Sequence, residues 1–158
     1  MHQHYQWWRR LKNLNKISST SKIGQDGFRY DRVNGVLIEI PHEFNVKLGD
    51  DLRIGEFVTI DNGRWRDTEI GDNTKIDHYA HIAHNVIIGK SCLIHAFVNI
   101  CGSVDIGNRC EIFPHCNIQP HVKICDDVII GDGSIVRHDI TEKGTYVYAG
   151  NGKMRKIV

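Results

Sequence analysis

No stretch of this 158-residue sequence is long and apolar enough for a membrane span or a signal-peptide core. The expected location is therefore cytoplasmic. The five cysteines, at positions 92, 101, 110, 116 and 125, are odd in number and form no CxxC pair. That argues against a disulfide framework and fits free thiols in a reducing compartment. Net charge is nearly absent: 20 basic and 19 acidic residues leave +1. Nothing in that balance calls for nucleic acid as a partner of the whole chain. The first 16 residues carry Arg9, Arg10, Lys12 and Lys16 and no acid. Trp7, Leu11 and Leu14 share one helical face there, so residues 1–16 read as a short basic amphipathic head. Capping the end of the fold is its simplest use. A membrane-surface helix and a disordered tail are the alternatives.

What the sequence has in abundance is a period. Stepping by six from Ile70 reaches Ile76, Ile82, Ile88, Ile94, Ile100, Ile106, Ile112, Ile118, Ile124, Ile130 and Val136. Even if half of all residues were apolar, twelve hits in a row would occur by chance roughly once in four thousand. The position four residues further on is small or β-branched in nearly every hexad, from Thr74 to Ile140. A large and a small inward residue repeating every six define a parallel β-helix of hexapeptide repeats. Three hexads make one 18-residue coil, and Gly71, Gly89 and Gly107 mark that longer period. The fold class is all-β, with coils stacked at about 4.8 Å.

Upstream, Leu48, Ile54 and Ile60 continue the pattern, and the ten-residue step to Ile70 means that part of GRWRDT loops out. KIG at 22–24 reads as an earlier partial coil, and QDGFRYDRVNGVLIEIPH interrupts the repeat. The expected organisation is a head over 1–16, a β-helix over 17–141 and a terminal cap over 142–158. Cys92, Cys110 and Cys116 occupy the small inward position and read as core filler. Cys92 and Cys110, one coil apart, come within possible disulfide reach.

Six of the ten histidines lie between 78 and 121: His78, His81, His84, His95, His115 and His121. A solvated face, a zinc site of the γ-class carbonic anhydrase kind and a catalytic base are the three readings. Zinc needs ligands converging at about 2 Å from one ion. The pairs His78/His84 and His115/His121 are each six apart, on neighbouring prism faces, and their side chains diverge. No metal is therefore expected. His84 and His121 share a face about two coils, or roughly 10 Å, apart. Gly102 lies one coil from His84 on the same edge, where a bare backbone N–H suits an oxyanion contact.

KIGQDGFRYDRVNGVLIEIPH, the insertion after TID, IAHN at 82–85 and HVKICDDV at 121–128 resemble the β-helix of the UDP-3-O-acyl-glucosamine N-acyltransferases of lipid A synthesis. The resemblance spans about residues 17–141. It implies a left-handed β-helix, a homotrimer with sites between subunits, and an acyl transfer to a sugar amine. By that resemblance His84 is the base, Gly102 supplies the oxyanion N–H, and His121 helps place a substrate. Asp77, Asn85 and Phe28 become candidate acceptor-binding residues.

The chain also departs from that family. It carries a short basic head instead of a uridine-binding domain, no helical extension, and Arg29 where glycine is usual. Its tail YVYAGNGKMRK is similar to the AGNPAK ending of small sugar acetyltransferases that use acetyl-CoA. That makes Gly102, Gly150, Lys153 and Arg155 candidate contacts for an acetyl-CoA donor. The expected activity is N-acylation, by a short acyl group, of a nucleotide-linked amino sugar. O-acylation of a sugar hydroxyl, a carrier-protein-dependent lipid A reaction and a γ-carbonic-anhydrase-like or non-catalytic scaffold are the alternatives.

Overall fold

The computed structural model describes residues 14–150 and 153–158. The amphipathic face built on Trp7 and Leu11 lies outside the described residues. Lys16–Ile17 already forms a strand, pairing in parallel with Arg53–Ile54.

Three parallel sheets form the walls of a left-handed β-helix, and no helix occurs among the described residues. Register follows the hexads residue for residue. Ile82 pairs with Ile60 below and Ile100 above, and Ile100 in turn with Ile118. Ile76 pairs with Ile94, and Ile88 with Ile106, in the other two walls. These isoleucines are at most 3% exposed, so each coil contributes three to a continuous apolar column. Burying one such side chain is worth about 1.5–3 kcal/mol. Because the strands between Val46 and Val136 are only two or three residues long, that column rather than any single strand holds the coils together.

From residue 73 to residue 127 every corner is a turn in the left-handed region. Asn73, Tyr79, Asn85, Ser91, Phe97, Ser103, Arg109, His115, His121 and Asp127 have φ between 55° and 66°, six residues apart without a break. The period in φ is as strict as the period in isoleucine. Along one edge the turn residues Phe57, Tyr79, Phe97 and His115 stack with ring centroids 5.0–5.2 Å apart and planes within 14°. The coil spacing matches the favourable separation of aromatic rings.

Two excursions leave the solenoid at the opposite edge. Residues 26–42 contain an antiparallel hairpin, Tyr30–Val33 with Val36–Glu39, closed by Asn34 and Gly35 at positive φ. Asn-Gly is the favoured two-residue hairpin turn for that reason. One coil later, residues 62–67 bulge out between Thr59–Asp61 and Thr68–Ile70, where the GRWRDT insertion was expected. The chain closes with a second hairpin, Gly144–Tyr148 against Met154–Lys156. All five cysteines are free, and the Cys92 and Cys110 thiols donate to the carbonyls of Gly107 and Cys125.

Candidate active site

Both excursions lean over the corner that carries His84. A cavity of about 440 Å³ opens there, lined among others by Phe28, Asp61, His81, His84, Cys101 and Gly102. Its floor is Ala83, one residue past the Ile60–Ile82–Ile100 column, with Asp61 from the coil below and Cys101 from the coil above. A small residue between two larger ones leaves the hollow. Phe28, 92% exposed, stands at its rim.

Four contacts hold the His84 ring. It rests on Gly102, where an added Cβ would lie 2.7 Å from Cε1 and 2.8 Å from Nε2. The absent side chain of Gly102 is thus a seat for the imidazole. Its backbone N–H has no hydrogen-bond partner among the described residues. His42 packs against His84 at a ring separation of 5.1 Å, and Trp65 meets it edge-on at 5.8 Å. Asn85 completes the enclosure with Nδ2 at 2.7 Å from His84 Nδ1.

The amide orientation of Asn85 is settled by its other contacts. Oδ1 accepts the backbone N–H groups of Arg64 and Trp65 at 2.7 and 3.1 Å, so Nδ2 is the donor to Nδ1. Neutral His84 therefore carries its hydrogen on Nε2. Arg66 fastens the same bulge, donating to the Asn85 carbonyl and pairing with Asp105. Asn85 is fully buried and ties the insertion to the histidine it roofs.

Electrostatics follow from enclosure. Burial lowers the pKa of His84, and the positive charges of His42, Arg64, Arg29 and His121 lower it further. His81, whose Nδ1 meets Thr59 Oγ1 at 2.7 Å, is also lowered by burial. Asp61 moves the other way: burial pushes its carboxyl up from 3.8 to about 6, against an opposing pull from His42.

Of the residues singled out from sequence, the cavity gathers His84, Gly102 and Phe28, with Asn85 behind them. His121 is the turn residue of the next coil, its N–H bonded to the Gly102 carbonyl at 3.1 Å. Asp77 faces a different hollow, with Arg53, Lys75 and His95. Lys153 lines a third, beside Arg137 and Tyr146 in the cap, where Gly150 and Arg155 also lie. Within one chain neither group reaches His84. The remaining histidines are engaged elsewhere: His78 accepts from the Glu56 N–H, His95 pairs with Glu111, and His115 ends the aromatic stack. Among the described residues no three His, Cys, Asp or Glu side chains are placed to hold a metal.

Four residues of the site escaped the sequence reading: His42, Asp61, Trp65 and Cys101. Asp61 and Cys101 had a signal, since they flank Ala83 in the hexad register. His42 had none, because it follows the hairpin that breaks the register.

Residues 67–102 and 103–138 match the model for the bacterial transferase hexapeptide (six repeats). These coils are similar to transferase hexapeptide repeats. The chain is 43% identical over 125 residues to a probable UDP-3-O-acylglucosamine N-acyltransferase 2, mitochondrial, of Arabidopsis thaliana, covering 78% of this chain and 41% of that one. It is 48% identical over 130 residues to UDP-3-O-acylglucosamine N-acyltransferase of Pseudomonas fluorescens, covering 82% and 37%. The chain thus spans about two fifths of the length of these relatives. Among solved structures, UDP-N-acetylglucosamine O-acyltransferase from Moraxella catarrhalis superposes with a TM-score of 0.78 at 21% identity, covering 90% of this chain and 53% of that one. A mutant GDP-perosamine N-acetyl transferase from Caulobacter crescentus, in complex with CoA and GDP-perosamine, gives 0.71 at 20% identity, covering 92% and 58%. At that identity the hexapeptide fold is what they share. One neighbour is named for O-acylation and the other for N-acetylation, so the fold alone leaves the acceptor atom open.

Proposed function

We propose that this hexapeptide solenoid transfers an acyl group from a thioester to the amine of a nucleotide-linked amino sugar, with the His84 cavity as the reaction site. The observation that carries the reading is the seating of His84 on Gly102, with an unpaired glycine N–H beside the ring. A thioester carbonyl bound there would meet that N–H as its oxygen gains charge. The sequence reading made His84 the base. Its tautomer favours the role of donor, since Nε2 presents a hydrogen to an oxyanion or a departing thiolate while Nδ1 is taken by Asn85. His121, next along the edge, is proposed to help hold the substrates.

Acetyl-CoA is the proposed donor, and Lys153 and Arg155 in the cap are its proposed phosphate contacts. Because these lie far along the solenoid from His84, a neighbouring copy is proposed to bring cap and cavity together in a homotrimer. Light scattering should give three times the 18.1 kDa chain mass. A monomer retaining full activity would end the idea of sites built between subunits. Replacing Lys153 and Arg155 together by Ala should raise the KM for acetyl-CoA about tenfold and leave kcat nearly unchanged, as when uniform binding is lost.

The deciding experiment offers acetyl-CoA and acyl carrier protein thioesters to the protein with amino-sugar and hydroxyl-only nucleotide acceptors, following thiol release. Acceptor-dependent release from acetyl-CoA with the amino sugar is the expected result. Release with carrier-protein thioesters alone would return the lipid A reading. No release with any pair would leave a non-catalytic solenoid.

A further inference from the structure

Two ionisable side chains beside the His84 cavity have no hydrogen-bond partner among the described residues. Both ring nitrogens of His42 are buried and unpaired, and the residue is 4% exposed. Asp61 is 8% exposed, lines the cavity and accepts no hydrogen bond, and His81 Nε2 stands off at 3.8 Å. Folded chains rarely bury a bare carboxylate next to a bare imidazole, because each forfeits its hydration. Such a pair marks a place where a ligand completes the hydrogen bonding.

Gly27 preserves the opening between them. A Cβ at that position would lie 2.7 Å from His42 Nε2 and 3.2 Å from Asp61 Oδ2. Any other residue at 27 would fill the gap or push the pair apart. The Ala83 floor keeps the cavity side of Asp61 clear in the same way.

We propose that Asp61 is a catalytic residue for an amine acceptor, receiving its ammonium group and taking the proton that must leave before the nitrogen can attack. His42 is the positioning residue behind it. This rests on the reading of the cavity as the acyl-transfer site.

An amine that reaches the site protonated has no lone pair and must lose two protons. The first passes to the Asp61 carboxylate. The freed nitrogen then attacks the thioester carbonyl carbon and the C–N bond forms. Collapse breaks the C–S bond, and the second N–H proton ends on the departing thiolate to give the thiol. Asp61 afterwards returns its proton to water. His84 does not serve the first step at Nε2, which already carries a hydrogen. A hydroxyl acceptor is uncharged and loses one proton only, so a buried carboxylate selects for amines. Burial that brings Asp61 to about 6 leaves it ionised at neutral pH yet basic enough to hold a proton during the step. The titratable groups facing it are Asp26 and His42 from the hairpin segment and His81 and His84 from the next coil.

The test compares the full-length protein with Asp61→Asn and His84→Ala, using acetyl-CoA and a nucleotide-linked amino sugar. Asp61→Asn keeps the shape and removes the charge. It should lower kcat/KM about 10²- to 10³-fold, and the rise in rate between about pH 5 and pH 7 should vanish. Hydroxylamine, unprotonated at neutral pH, should be acylated by Asp61→Asn within about tenfold of the parent. His42→Gln should move the midpoint of the pH profile and cost less than the Asp61 change. If Asp61→Asn stays within threefold of the parent and keeps its pH profile while His84→Ala is inactive, the Asp61 assignment is overturned and the cavity reading stands. If both variants keep parental activity, the cavity reading falls and takes the assignment with it.

Discussion

His84→Ala is expected to lower kcat about 10²- to 10⁴-fold with the fold intact, a barrier increase of about 2.7–5.4 kcal/mol. Confinement of the ring is the reason. Gly102, His42, Trp65 and Asn85 contact it on all sides except the cavity. Its orientation is therefore fixed before substrate arrives, and a group held in place is worth more than the same group free to turn. His84→Gln separates the possible roles. A glutamine amide can donate a hydrogen bond but cannot take a proton at neutral pH, so it should recover part of the rate if the ring acts as donor. His115→Ala is the control, an exposed ring on the aromatic edge away from the cavity. It should stay within about twofold of the parent. Near-parental kcat in His84→Ala would remove the histidine from the chemistry.

The solenoid was legible because its rule is short-range. A residue six positions on faces the same way in the next wall, so Ile70 to Val136 could be counted without knowing the structure. The insertion after TID was legible for the same reason, since it shifts the count by four. The corners were not. Left-handed φ usually announces itself through glycine or asparagine, but here Tyr79, Phe97, Arg109 and His115 adopt it, and stacked or paired neighbours hold them there. Counting also fails wherever the register is interrupted. His42 follows a hairpin whose two ends return to one corner, so 42 residues of sequence separate rings that touch. Asp77, a candidate acceptor-binding residue, lies seven residues before His84, and in a hexad solenoid that places it on another wall, beside a different hollow.

Asp61→Asn is expected to make the protein more stable at neutral pH as well as slower. Folding raises the Asp61 carboxyl from 3.8 to about 6, so between these values the folded chain holds more protons than the unfolded one. Stability from this group is then fully present below about pH 4. It falls as the pH rises through about 6 and stays reduced above. A rise of that size corresponds to about 3 kcal/mol at most, and relaxation of the site would reduce it. Asparagine removes the buried charge, so its Tm should exceed the parent's by several degrees at pH 7.5, with the gap closing toward pH 4. Calorimetry at both pH values measures this directly. An unchanged or lower Tm at pH 7.5, or a gap that widens in acid, would mean that the carboxylate is satisfied in the folded protein and has no need of a ligand. The expected outcome ties the two effects to one cause. A carboxylate that costs stability and gains rate is one that the fold holds for its substrate.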